Sequence, residues 1–163
     1  MVDFTERVVA QWAERRPDLD VSPVLVLGRV QRIAAALTAA SDTTLAPEGL
    51  TRGEFDLLTA LRRAGRPLRP SEITTVTSAS GAAITKRLDR LTRDGLVERT
   101  GSDRDRRVVL VTLTPAGEEL VDRLFAPHVA QEAAVLDGLT PAEVAELERL
   151  LAHLLHVVDP QTY

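Results

Sequence analysis

The spacing of apolar residues along the chain changes period once, and this change predicts its architecture. Most of the chain repeats apolar residues every three to four positions, which predicts amphipathic helices. We place these helices at about 3–16, 23–42, 51–64, 70–76, 79–94, 115–137 and 140–157. Short β-branched runs at 96–100 and 108–113 flank a polar turn and predict a β-hairpin. The expected fold class is therefore mainly α with a small β-hairpin.

Local residue types mark where several helices begin. A Ser or Thr followed by Pro stands at 22–23, 114–115 and 140–141, which is typical of an N-cap and the first helical position. Thr51 with Glu54, and Thr140 with Glu143, predict capping boxes. Pro127 is expected to kink the sixth helix because it removes a backbone hydrogen bond.

The order of elements is typical of a winged helix-turn-helix. A short helix, a tight turn at 77–78, a second helix and then a hairpin follow one another without a long loop. We expect one domain, 1–163, in three parts: N-terminal helices (1–48), the winged helix-turn-helix lobe (49–114) and C-terminal helices (115–163). The C-terminal helices carry more apolar surface than one helix pair can cover, which predicts a homodimer.

The charge distribution favours nucleic acid as the partner of the middle segment. The net charge of the chain is -4, but residues 52–107 carry 13 basic and 8 acidic side chains. Residues 1–51 and 108–163 are both acidic. Arginine supplies all but one of the basic residues, and its planar guanidinium suits phosphate and guanine. A basic lobe carried between acidic flanks is the expected arrangement.

Composition and motifs exclude several classes of function. The chain has no cysteine, which excludes disulfides, thiolate zinc sites and cysteine nucleophiles. Its apolar runs are too short for an obvious membrane span and its N-terminus does not resemble a signal peptide, so we expect a cytoplasmic protein. No phosphate-binding glycine loop, nucleophile elbow or carboxylate pair indicates an enzyme, and no cofactor is expected.

The second helix of the helix-turn-helix has an apolar face and a face suited to DNA. Ile84, Leu88 and Leu91 project to one side and are expected to enter the core. Small, hydroxyl and cationic residues on the other side, together with arginines at the wing tip, are candidates for base and phosphate contacts. These candidates are Arg69, Ser80, Gly81, Thr85, Lys86, Arg90, Arg104 and Arg106.

Two other arginines lie where a charge is unexpected. Arg87 projects into the apolar stripe of the second helix, and Arg99 shares a strand face with Val97. A guanidinium in such a place needs a carboxylate partner or a route to the surface, and a pair of them can also bind an anion.

The residues resemble the MarR family of transcriptional regulators over nearly the whole chain. The resemblance is most specific over 96–99, 103–107 and 113–117, and it extends to 49–58. It implies an obligate homodimer that binds a pseudo-palindromic double-stranded operator. It also implies a repressor that a small ligand releases.

Within that family the chain is most similar to the urate-responsive subgroup. That resemblance implies a ligand site formed by Trp12, Asp56, Arg87 and Arg99. Urate is a flat anion rich in acceptors, which suits arginine pairing and an indole contact. We expect Asp56 to neutralise Arg87 until an anionic ligand displaces it.

Other interpretations stay open at this point. Trp12 is by default an interface or core aromatic, and Asp56 a solvated carboxylate. The ligand of such a regulator can be a phenolic compound or a drug instead of a purine, and a winged helix can serve as a protein-interaction adaptor. His153 and His156 have helical i,i+3 spacing, but without a third strong ligand nearby they indicate helix histidines rather than a metal sensor.

Overall fold

The computed structural model describes residues 2–77, 79–101 and 109–159. In these ranges the chain forms the predicted series of helices and one antiparallel hairpin, which confirms the fold class. The elements are α1 (Phe4–Arg15), α2 (Pro23–Leu45) with a 3-10 turn (Ala46–Glu48), α3 (Arg52–Ala64), α4 (Pro70–Thr77), α5 (Gly81–Arg93), β1 (Val97–Gly101), β2 (Val109–Leu113), α6 (Pro115–Ala134) and α7 (Pro141–Val158).

Most helix starts follow the predicted capping chemistry. The capping boxes at Thr51 and Thr140 both form, and the Thr114 hydroxyl accepts the N–H of Gly117. The prediction is wrong at Ser22, which has helical backbone angles and makes no side-chain cap. Its own N–H instead donates to Asp20 Oδ1 at 2.9 Å.

Helix α2 continues beyond its predicted end. It ends at Leu45, and within its last turn the hydroxyls of Thr43 and Thr44 donate to carbonyls one turn back, as Thr does inside a helix. The chain leaves the following 3-10 turn only at Gly49, whose φ of 70° is a conformation that favours glycine.

The described residues up to Gly49 form one compact unit in which α1 packs on α2. Thr5 is buried, and Gly28 gives it room, because a Cβ at Gly28 would lie 3.0 Å from the Thr5 methyl group. Arg29 joins the helices through Asp3 at 2.8 Å and Glu6 at 3.1 Å.

The described residues from Leu50 to Asp159 form a second compact unit built around α3. Phe55, Leu57 and Leu58 are fully buried. The core also takes in the predicted apolar stripe of α5 and one residue from each strand: Ile84, Leu88, Leu91, Val97 and Val111.

The hairpin is tied to the segment before α4. Val97 pairs with Leu113, and Arg99 with Val111. Leu68 exchanges two backbone hydrogen bonds with Val111, at 3.0 and 2.8 Å. The wing therefore has a fixed base next to the helix-turn-helix.

Large apolar side chains stay exposed in a single chain on α2, α6 and α7. No residue of α7 is buried. By length and composition alone, the helical segment 23–48 is also long and apolar enough to cross a membrane. The exposed apolar residues of these helices include Val26, Leu27, Val30, Ile33, Phe125, Val129, Leu147, Leu150, Leu151 and Leu155.

Candidate nucleic-acid interface

The first helix of the helix-turn-helix begins without the usual hydroxyl cap. Arg69 stands at that position, and its N–H donates to the Glu72 carboxylate at 2.7 Å. Arg66 donates to the other oxygen of Glu72 at 2.8 Å. These bonds, from the Arg66 side chain first and the Arg69 backbone second, hold the pKa of Glu72 below its ordinary value. The Arg69 residue itself is exposed, as a phosphate contact requires.

The start of α5 presents the polar surface that the sequence predicts. The Ser80 hydroxyl accepts the N–H of Ala83 at 3.3 Å and caps the helix. The Thr85 hydroxyl donates to the Gly81 carbonyl at 3.0 Å. Ser80, Gly81, Thr85 and Lys86 are all exposed, and nothing lies within 4 Å of where a Cβ at Gly81 would stand. This surface can approach the edges of bases closely.

Arg90 differs from the other candidates on α5 because its guanidinium contacts α3. Its Nη1 lies 3.1 Å from Glu54 Oε1, and its Nε lies 3.6 Å from Asp94. The two remaining candidates, Arg104 and Arg106, lie outside the described residues.

Asp56 does not pair with Arg87, so the predicted ion pair is wrong. The Asp56 carboxylate accepts from Arg52 Nε at 2.7 Å, one helical turn earlier in α3. Arg52 also reaches Glu132 on α6 at 3.2 Å, and Glu132 contacts the buried His128 at 3.1 Å. Asp56 therefore belongs to a network that joins α3 to α6.

Arg87 lies half-buried between α5 and α3. Its guanidinium covers Gly53, so closely that a Cβ at Gly53 would overlap it. Among the described residues, no carboxylate pairs with Arg87. The projection of the sequence thus located this arginine correctly but not its surroundings.

Arg99 connects the wing to α5. Its Nη2 donates to Asp89 Oδ1 at 2.6 Å. This exposed pair joins β1 to the helix that carries Arg87. Any anion that binds Arg99 has to compete with Asp89.

Trp12, the fourth predicted ligand residue, lies on α1 in the N-terminal unit. Its side chain is exposed, with 52% of its surface accessible. It therefore does not fill a core within that unit, and this property leaves its ring available to a ligand or a partner.

A cavity of about 760 Å³ opens in the second unit beside Asp56. Ala60, Val76, Val121 and Phe125 give it apolar walls. Its polar lining includes Arg63 on α3. The cavity extends to Val76 and Thr77, the last residues of α4. A planar ligand in this cavity would touch the segment that leads into α5.

Sequence reasoning missed Arg52, Glu54 and Asp89 as partners of the predicted residues. The spacing of Arg52 and Asp56 is the i,i+4 spacing of a helical ion pair, so that partner could have been found. The sequence identified Glu54 only as part of a capping box. It gave no indication of the Asp89–Arg99 pair, because Asp89 lies on α5 and Arg99 on β1. In the ranges that the structure describes, no three metal-ligating side chains are grouped as a metal site would need.

Comparison with known proteins places this geometry in a family. A sequence model described as "MarR family" matches residues 48–108. The HTH-type transcriptional regulator PecS of Dickeya dadantii is 36% identical over 155 residues, which covers 93% of each chain.

Solved structures agree with this assignment. BpsR of Bordetella bronchiseptica, described with regulation of its DNA binding by 6-hydroxynicotinic acid, has a TM-score of 0.71 at 30% identity and covers 79% of this chain and 91% of its own. The C80S mutant of Escherichia coli MarR in complex with operator DNA has a TM-score of 0.71 at 33% identity, covering 84% and 99%. The chain belongs to the MarR family of DNA-binding transcriptional regulators, which are not enzymes.

Proposed function

We propose that this protein is a cytoplasmic repressor that binds a pseudo-palindromic operator as a homodimer and leaves it when a small aromatic anion binds. Urate is the first candidate ligand. The observation that carries the ligand response is Arg87, a half-buried guanidinium beside Gly53 with no carboxylate partner among the described residues. A cation in such a place favours binding an anion.

The DNA-binding part of the proposal rests on the exposed start of α5. Ser80, Gly81, Thr85 and Lys86 are exposed there, next to a hairpin with a fixed base. The related MarR chain in complex with operator DNA supports the same use of this fold. Arg69 and the wing-tip residues Arg104 and Arg106 are proposed to contact the sugar-phosphate backbone or the minor groove.

The homodimer is supported by the exposed apolar surface. Monomeric proteins rarely leave several large apolar side chains exposed together on one face. On α7 the exposed residues Leu147, Leu150, Leu151 and Leu155 follow a helical spacing. A second copy of the chain would cover them, and two-fold symmetry would set the α5 helices about 34–36 Å apart, one turn of DNA.

The response to an anion is proposed to act through α5. Arg87 lies on α5, and Arg99 holds α5 through Asp89. An anion that binds both arginines would replace the contact with Asp89 and so change how α5 is held. Trp12 and Asp56 are proposed to complete the site with a stacking ring and an acceptor for ring N–H groups.

The test combines operator binding with the fluorescence of Trp12, the only tryptophan. Mobility shifts on DNA flanking the gene for this protein are measured with urate, xanthine, hypoxanthine and 6-hydroxynicotinic acid. We expect at least one of them to quench Trp12 and weaken operator binding. Arg87→Ala should abolish that response, whereas Arg149→Ala, the same change at an arginine whose ion pair is with Glu146 of its own helix, should keep it.

Two results would separate the parts of this proposal. If the protein binds its operator but none of the four compounds quenches Trp12 or weakens binding, response to an aromatic anion is wrong. If it shows no salt-dependent affinity for any promoter fragment, the assignment of an operator is wrong as well.

A further inference from the structure

Glu54 is a buried carboxylate at the start of α3. Only 5% of its side chain is exposed. Its Oε2 accepts from the backbone N–H and the hydroxyl of Thr51, both at 2.8 Å. Burying an ionised carboxylate without a cation beside it costs much free energy. Capping alone therefore does not account for a charged residue at this place.

The cation that Glu54 meets is Arg90, in the last turn of the recognition helix α5. Arg90 Nη1 lies 3.1 Å from Glu54 Oε1 and 3.3 Å from Oε2. The contact joins residues 36 positions apart. It therefore links the first turn of α3 directly to α5.

This link supplies a constraint that the apolar contacts of α5 do not. Ile84, Leu88 and Leu91 bury one side of the helix in the core. The hydrophobic effect is not directional, so burial of these side chains specifies the rotation of α5 about its own axis less sharply than a hydrogen bond does. A charge-assisted hydrogen bond to a buried acceptor is directional, and the acceptor is itself fixed by two bonds from Thr51.

We propose that Glu54 is a positioning residue for operator recognition: through Arg90 it fixes the rotation of α5 and thus the orientation of Ser80, Thr85 and Lys86 toward the duplex. Arg90 then acts within the protein and not as a phosphate contact. The inference rests on DNA binding by this lobe and is independent of any ligand response.

The experiment measures affinity for the operator and for nonspecific DNA across a salt series. The variants are Glu54→Gln, Arg90→Ala and the two combined. Glutamine can still serve in a capping box, so Glu54→Gln removes the charge while it keeps the start of α3. Asp94→Asn is the matched control because it neutralises the other, exposed carboxylate near Arg90 at 3.6 Å.

We expect Glu54→Gln and Arg90→Ala each to weaken operator binding by roughly 3- to 30-fold. Because both changes remove the same contact, the double variant should bind the operator as well as the weaker-binding single variant does. Nonspecific affinity and the salt slope should stay as in the wild type, and Asp94→Asn should bind the operator normally. Loss of folded protein would instead lower both affinities together. Thermal melts on the same samples identify any variant that is partly unfolded at the assay temperature, and binding by that variant is measured at a lower temperature.

The proposal is overturned if Glu54→Gln leaves operator affinity unchanged or raises it while Arg90→Ala reduces the salt slope by about one. That result would make Arg90 a phosphate contact and Glu54 a helix cap. Because wild-type operator binding is measured first, failure of this inference is distinct from failure of the proposed function.

Discussion

Replacing Gly117 with alanine tests how tightly the wing is attached to the rest of the lobe. Gly117 lies buried in the first turn of α6, where its N–H donates to the Thr114 hydroxyl at 3.1 Å. A Cβ at this position would overlap the backbone carbonyl oxygen of Leu96 and lie 3.2 Å from Leu113 Cδ2. The obstacle is backbone, so no side-chain rotation relieves it.

The cost follows from what the Leu96 turn is bonded to. Its carbonyl accepts the Thr114 N–H at 3.1 Å, and the Thr114 hydroxyl donates to the neighbouring Gly95 carbonyl at 2.7 Å. Moving the turn away by about an ångström stretches or breaks one of these bonds, at about 1 kcal/mol, and adds about 1–3 kcal/mol of overpacking. This cost is offset by about 0.5–1 kcal/mol, because alanine has a higher helix propensity than glycine. We expect a net loss of about 1–3 kcal/mol.

Urea denaturation and thermal melts measure this loss, and we expect the melting temperature to fall by about 2–12 °C. Gly81→Ala is the matched control, since Gly81 is also helical and nothing lies within 4 Å of its added Cβ. The control should be as stable as the wild type or slightly more so. If Gly117→Ala is as stable as Gly81→Ala, the wing is not held in the way described.

Three further changes test separate contacts. Arg69→Ala should weaken binding to all DNA sequences alike and lower the salt slope by about one, measured by fluorescence anisotropy, because the exposed Arg69 is expected to contact phosphate. Arg62 donates two hydrogen bonds to Asp122 and holds its pKa below the ordinary 3.8, so this pair stabilises the fold above pH 3.8 and stops doing so as the pH falls through the lowered pKa. Melts of Asp122→Asn should therefore fall below the wild type at pH 6 and converge with it in acid; a constant gap would contradict this. Gly53→Ala should push the flexible Arg87 guanidinium aside with little change in melting temperature, and the ligand titrations should show a weaker anion response; an unchanged response would remove Arg87 from the site.

Local signals in the sequence predicted the elements well, and long-range pairing limited the prediction of the site. A capping box such as Thr51 with Glu54 depends on residues three apart, so the sequence contains all of it. The position of Arg87 also followed from helical projection alone. The Arg52–Asp56 pair could also have been predicted from its i,i+4 spacing, but the further contact of Arg52 with Glu132 on α6 depends on the folded arrangement. The Arg99–Asp89 pair likewise depends on how β1 lies against α5.

The contacts of α5 also limit how a ligand could release the protein from its operator. To change a population from 1:99 to 99:1, a ligand has to prefer the released state by roughly 10⁴-fold, about 5.5 kcal/mol. Replacing the exposed Arg99–Asp89 pair contributes little of this, because such surface pairs are worth about 0–1 kcal/mol. If the proposed ligand site is right, most of the preference has to come from contacts of the ligand with Arg87, Trp12 and Asp56, and in a homodimer it would be divided between two equivalent sites, each supplying about half.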